Sequence, residues 1–246
     1  MAGKVFFSVS MTLDGFIAPE SSPDDAIARS ASVGPRQSRT SSATTQPSAP
    51  RSGRSTPDLE HWMAQWMKLQ AWVFEQRFFR ENLKLGEGGT EGRDNAILEE
   101  TFDRTGASVM GKRMFEGGEA GWPEEAPFHT PVYVLTHEVR EPWERPGGTT
   151  FHFVNDGIES ALKQAREAAG ERDVRIAGGA DTIRQYLNAG LVDEFSIALA
   201  PVLFGTGIRL FEGVDTGRFA LDLRQTEPSS QVTHLTYAVQ QPDGEN

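Results

Sequence analysis

The 246-residue sequence predicts a single three-layer αβα domain, with a mostly parallel central sheet and an antiparallel hairpin at its C-terminal edge. Three observations carry that expectation. From about residue 105 to residue 203, short β-branched or aromatic runs alternate with helical periodicities, the pattern of βαβ units. The tail then holds two strand-like runs with no helix between them, which pair antiparallel. A chain of this length, 37% hydrophobic, can bury one sizeable core.

Val5-Phe6-Phe7-Ser8-Val9-Ser10 opens as a buried strand, and Thr12-Leu13-Asp14-Gly15-Phe16 follows as a loop hinged on its glycine. Residues 21–57 have another composition: ten Ser, five Pro, four Thr, no aromatic residue, and five Arg against two Asp. So little apolar surface cannot offset the entropy of ordering, and a disordered insertion is expected there within the one domain spanning 1–246. Thr56-Pro57-Asp58 begins a helix with a cap, a proline at the first helical position and an acid in the first turn. Trp62, Trp66, Leu69 and Val73 recur along it at helical spacing, to about Arg80. Core packing is the ordinary reason for such a stripe; with Met63, Met67 and Trp72 it also offers flat surfaces for a heterocycle.

The glycine-rich run 86–92 breaks the pattern, and Asn95–Arg104 reads as a second helix. Strands follow at Ser108–Met110, Val132–Thr136, Phe151–Val154, Val174–Ala177 and Glu194–Leu203. Helices at Ile158–Ala169 and Asp181–Ala189 are interleaved with them, and Lys112-Arg113 opens another. The tail pairs Phe219–Thr226 with Val232–Gln240 across Glu227-Pro228-Ser229-Ser230.

Composition excludes several functions. A net charge of −11 argues against nucleic acid or an anionic membrane as partner. With no cysteine there is no thiolate chemistry, zinc ribbon or Fe–S cluster. The five histidines lack H-x-x-x-H spacing, so no metal is expected. The apolar runs are too short to span a bilayer and Met1-Ala2-Gly3-Lys4 leads into no signal-peptide core, so a cytoplasmic protein is expected.

Two strand exits carry the chemistry. Gly111 ends a strand and Lys112-Arg113 starts a helix; Gly178-Gly179 ends another strand and Ala180-Asp181-Thr182 starts a helix. Glycine lets a ligand approach backbone, and a helix N-terminus offers free N–H groups to an anion. Two such junctions suit a dinucleotide lying beyond the carboxyl ends of the strands. The alternative at each is a tight turn with solvated side chains. Gly106 to Lys112 fits G-x-x-x-x-G-K, but Arg113 stands where a P-loop needs a hydroxyl, and residues 107–110 are themselves strand. A third exit, Leu135-Thr136-His137, can face a ribose.

These residues resemble a known family. Ser10-Met11-Thr12-Leu13-Asp14-Gly15-Phe16-Ile17-Ala18 is similar to the opening of the bacterial riboflavin-pathway reductase domain, a dihydrofolate-reductase-like fold. Gly111 to Glu116, Ala177-Gly178-Gly179-Ala180, Leu191-Val192-Asp193-Glu194 and Pro201-Val202-Leu203-Phe204-Gly205-Thr206-Gly207 resemble its later motifs, in family order. The resemblance implies NADPH and hydride transfer to a C=N or C=O of a small heterocyclic or sugar-derived substrate. It puts Gly111, Lys112, Arg113 and Met114 on the adenosine phosphates and Thr136 near the ribose. Gly178, Gly179, Ala180, Asp181 and Thr182 fall on the pyrophosphate. Asp14 becomes the candidate catalytic residue beside the nicotinamide, orienting substrate or relaying a proton, unless it is only a turn former.

The chain departs from the family pattern in Lys112, which replaces an arginine fork, and Met114, which replaces a hydroxyl. Glu60 and Glu75 lie on the helix where dihydrofolate reductases carry a pterin-binding carboxylate, and neither aligns with it. True dihydrofolate reduction and a non-catalytic nucleotide- or flavin-binding module remain the alternatives. The apolar strand 195–203 and the terminal hairpin are the candidate homodimer face.

Overall fold

The computed structural model describes residues 3–20, 59–119 and 121–241. The insertion at 21–57 and the Thr56-Pro57-Asp58 helix start lie outside the described residues. In chain order the elements are β1 (Val5–Thr12), β2 (Phe16–Ala18), α1 (Leu59–Phe74), α2 (Arg77–Asn82), α3 (Arg93–Arg104) and β3 (Thr105–Gly111). Then come α4 (Lys112–Glu119), β4 (Val132–Leu135), β5 (Trp143–Glu144), β6 (Thr150–Val154), α5 (Ile158–Ala169) and β7 (Asp173–Gly178). The chain continues through α6 (Ala180–Asn188), β8 (Glu194–Ala200), β9 (Ile208–Arg209), β10 (Ala220–Pro228) and β11 (Thr233–Gln240).

Nine strands form one sheet in the order β10-β11-β8-β1-β7-β3-β4-β6-β5. The six from β8 to β6 are parallel; β11 and β10 close one edge antiparallel, and β5 the other. The fold class is therefore the one the sequence predicts. Alternation along each strand assigns its faces. Val5, Phe7, Ala107, Val109, Val174 and Ile176 point to one side, where α5 and α6 bury them under Leu162, Ile183, Tyr186 and Leu187. On the other side Met110, Val132 and Val134 pack on Phe115 of α4, while Ala198 and Ala200 pack on Leu69, Trp72 and Val73 of α1.

Several boundaries move for physical reasons. The long helix predicted to reach Arg80 stops at Phe74. Gln76 turns extended and buried, and Glu75 and Arg77 exchange backbone bonds with Thr90 at 2.7 and 3.0 Å. Tertiary pairing outweighs local propensity there. β8 ends at Ala200 because Pro201 brings no N–H to the ladder. The pair β2 and β9, and β5, are too short to show a period.

Of the strand expected at the dimer face, Phe195, Ile197, Ala198 and Ala200 are buried by β1, β11 and the helices of the same chain, while Leu203, just past the end of β8, is exposed. On the hairpin, Leu221 and Leu223 of the edge strand β10 are exposed.

At the N-terminal ends of the strands, Glu194 accepts from Lys4 at 2.5 Å and Arg104 at 2.8 Å, and Arg104 also reaches Asp173 at 2.6 Å. Burial raises the Glu194 carboxyl, but the bonds from Lys4 and Arg104 outweigh it and leave it below its ordinary value. A depressed carboxyl stabilises the fold above its unfolded pKa, and that contribution disappears as pH falls through the folded value. Glu194→Gln should therefore cost about 2 kcal/mol at pH 7. Urea titrations of the two proteins should converge in acid; a gap that stays constant with pH would contradict this account.

Candidate active site

β3 and β7 are adjacent and parallel, yet the helices that follow them leave on opposite faces. α4 packs through Phe115 on one side and leads to β4, whereas α6 packs through Ile183 and Tyr186 on the other and leads to β8. Such a reversal opens a crevice beyond the strand ends, the ordinary ligand position in α/β sheets. Both glycine junctions of the sequence lie at this point.

They are in contact. Met110 pairs with Gly178 across the sheet. A Cβ on Gly111 would lie 2.5 Å from the Thr182 hydroxyl, and one on Gly178 would lie 3.1 Å from the Met114 sulfur. Gly178 has φ +129°, which disfavours any side chain, and its peptide to Gly179 is cis. Gly179 caps α6 with no side-chain bond, so the first N–H groups of that helix stay open to a ligand. The Gly106–Lys112 stretch is β3 itself and its exit, not a phosphate loop.

Cations and carboxylates line the junction. Arg113 donates to Asp181 at 2.9 Å, and Asp181 also accepts from Arg184 at 2.7 Å. Lys112 bonds Glu116 and lies 3.4 Å from Glu138; Glu116 above all holds its ammonium in the charged form. Glu138 donates its N–H to the Thr136 hydroxyl at 3.1 Å. The exits of β7, β3 and β4 thus form one continuous row holding Gly178 to Thr182, Gly111 to Met114, and Thr136.

Asp14 lies on the opening loop, beyond β1. Its carboxylate accepts from the Thr12 hydroxyl at 2.6 Å and from the N–H groups of Phe204 and Gly205 at 3.1 and 2.7 Å. The Thr12 bond first, then the two backbone bonds, hold its pKa below the ordinary carboxylate value. Arg209 donates to the Asp14 carbonyl at 3.0 Å and lies over the Phe16 ring at 4.4 Å. Asp14 therefore ties the β1 exit to the β8 exit as an anion. The segment Pro201–Gly207 and Arg209 enter the site through it, a link invisible in sequence because some 190 residues separate the partners.

The aromatic stripe of α1 divides. Trp72 is core: its indole N–H donates to Ser10 at 3.0 Å, and Ser10 donates to Gln70 at 2.9 Å. Trp62 and Trp66 stack on each other with centroids 6.2 Å apart, beside exposed Met63 and Met67. Glu60 falls in the first turn of α1, and the Glu75 carboxylate bonds Gln231 on the hairpin turn.

The model of the RibD C-terminal domain matches residues 3–235. The chain belongs to that family. Two uncharacterized proteins of Bacillus subtilis (strain 168) are similar to it. YwjB is 32% identical over 85 residues, 35% of this chain and 48% of YwjB. YyaP is 36% identical over 86 residues, 35% of this chain and 45% of YyaP. The matched segment thus spans about half of each. A crystal structure of a protein provisionally assigned to riboflavin biosynthesis, from Shewanella sp. PV-4, superposes over 97% of this chain and 99% of its own at TM-score 0.55 and 18% identity. That likeness fixes the fold. The family and this superposition together support the α/β architecture, a mostly parallel sheet with an antiparallel edge hairpin. No helix among the described residues is long and apolar enough to cross a membrane.

Proposed function

We propose that this RibD C-terminal domain is an NADPH-dependent reductase, acting on a C=N or C=O of a small heterocyclic or sugar-derived substrate. The observation that carries the reading is the meeting of two strand–glycine–helix junctions at the sheet's switch point, with Lys112 and Arg113 beside them. The residues fit a dinucleotide: small at Gly111, Gly178, Gly179 and Ala180, open at the start of α6, and with Lys112, paired to Glu116 and Glu138, on the side toward β4. Lys112 and Arg113 would hold the adenosine phosphates with Met114 packed under them, and Thr136 would border the ribose. Gly178 to Thr182 would present backbone N–H groups to the pyrophosphate. Bound NADPH would supply the hydride; the protein supplies position and excludes water.

Asp14 enters this reading as a positioning residue. Ionised and acceptor-only, it has no proton to give at neutral pH, but it fixes the loop expected beside the nicotinamide. Asp14→Ala should lower turnover by roughly tenfold to a hundredfold, the range typical of misplaced site geometry, while cofactor affinity holds. Asp14→Asn keeps two acceptor lone pairs and should recover most of that loss. If Asn behaves like Ala and the pH profile of kcat shifts, Asp14 acts by proton transfer instead.

The deciding experiment titrates the protein with NADPH, NADH and FMN, then follows NADPH oxidation over a panel of pteridines, pyrimidines and sugar-derived imines. Binding without turnover of any of them would favour a non-catalytic nucleotide-binding module, the reading that the fully engaged Asp14 carboxylate also fits. We place a homodimer face on β10 and its exposed Leu221 and Leu223. Light scattering should give twice the chain mass, and Leu223→Asp should halve it; a monomeric parent protein would end this idea. The cysteine-free chain suits the reducing cytoplasm.

A further inference from the structure

Asp181 brings an acid into a junction otherwise suited to an anion. We infer that its carboxylate is an internal stand-in for a cofactor phosphate, holding Arg113 in the free protein and so weakening dinucleotide binding. This rests on the proposal that the junction binds NADPH. Three observations give the exchange its direction. Arg184 is the fixed member of the triad: its side chain is 21% exposed, and it also donates to the carbonyls of Arg209 and Glu212 at 3.4 and 3.2 Å. Asp181 bonds it at 2.7 Å and stays neutralised whatever Arg113 does. Arg113, in contrast, is 52% exposed, and Asp181 is its one ion-pair partner among the described residues.

Arg113 is therefore the member free to leave. A solvent-exposed pair with one carboxylate holds it weakly, whereas a phosphate offers more charge and bidentate geometry to the same guanidinium. When a phosphate arrives, Arg113 moves onto it and Asp181 remains on Arg184, so no charge is stranded. Lys112 is also held by carboxylates, Glu116 and Glu138, but among the described residues neither of these has a second cation to keep it neutralised. The side chain of Asp181 thus opposes the ligand that its own backbone N–H, at the start of α6, would favour.

Calorimetric titrations with inorganic pyrophosphate and, separately, with NADPH test this on the full chain, Asp181→Asn, Arg113→Ala and the double variant. Asp181→Asn should bind both ligands roughly two- to tenfold more tightly. In the Arg113→Ala background the same change should gain less than about twofold, because the competitor then has nothing to compete for. Thermal melts of the four proteins should coincide within a few degrees, as the pair is exposed. If pyrophosphate follows this pattern and NADPH does not bind, the exchange of Arg113 from Asp181 to a phosphate stands and the cofactor reading falls. Weaker or unchanged binding by Asp181→Asn, an equal gain without Arg113, or binding of neither ligand overturns the inference.

Discussion

Alanine at Asp94, or at His234, will destabilise the fold by about 2–4 kcal/mol, the cost of stranding one member of a buried hydrogen-bonded pair. Asp94 lies in the first turn of α3 and His234 on β11, with Nε2 and Oδ1 2.6 Å apart and both side chains at least nine-tenths buried. His234 also meets the edge of Trp72, ring centroids 5.1 Å apart. Trp72 in turn donates to Ser10 on β1. Two hydrogen bonds joined by this ring contact therefore tie α3, β11, α1 and β1 together across the face that α1 covers. Removing either end leaves the other residue's buried polar atom without its partner. In a domain of this size the loss lowers Tm by about 5–15 °C. The double variant Asp94→Ala/His234→Ala should cost less than the sum of the singles by more than about 1 kcal/mol, because the second truncation strands nothing further. Additive singles, or singles within about 0.5 kcal/mol of the parent, would show that the pair is not a structural tie.

Asp94 and His234 also mark the limit of what sequence reveals. The longer strands, the two glycine junctions and the terminal hairpin follow from periodicity and from glycine at a strand end, because those signals are local; β2, β5 and β9 are too short to carry them. Gly111 and Gly178 are legible as ligand-approach positions for the same reason. What the side chains do there is not local. Asp94 meets a partner 140 positions away, and the Asp14 carboxylate meets backbone some 190 positions away. An Asp-Gly dipeptide reads equally well as a turn or as a catalytic acid until Phe204 and Gly205 are seen donating to it. The resemblance linked the Asp14 segment and the Pro201–Gly207 segment only as two motifs in one order; the hydrogen bonds give the reason they occur together. Likewise Asp181 reads as one more residue of a phosphate turn. Only the approach of α4 to α6 shows that its charge is directed at Arg113.

Lys112→Ala combined with Arg113→Ala should weaken NADPH binding by roughly thirty- to a hundredfold while leaving the melting temperature nearly unchanged. A charge-assisted hydrogen bond contributes about 1.5–3 kcal/mol where it is sheltered. These side chains are 36% and 52% exposed and already paired with carboxylates, so about 1–1.5 kcal/mol each is the appropriate scale. Two of them together give about 2–3 kcal/mol, and 1.4 kcal/mol corresponds to a tenfold change. The same exposure keeps the stability cost small, since surface pairs contribute little to folding. Two further signatures separate a phosphate contact from general charge loss. The parent protein should lose NADPH affinity as salt rises, and the double variant should lose much less of it. NADH, lacking one phosphate, should be weakened less by the double substitution than NADPH, because Lys112 faces the β4 exit where the ribose of the adenosine half would rest. Equal weakening of both nucleotides would move the phosphate contact from Lys112 to the pyrophosphate alone. Unchanged NADPH binding would leave Gly178 to Thr182 as the whole anion site, and Lys112 and Arg113 would then serve only their ion pairs with Glu116, Glu138 and Asp181.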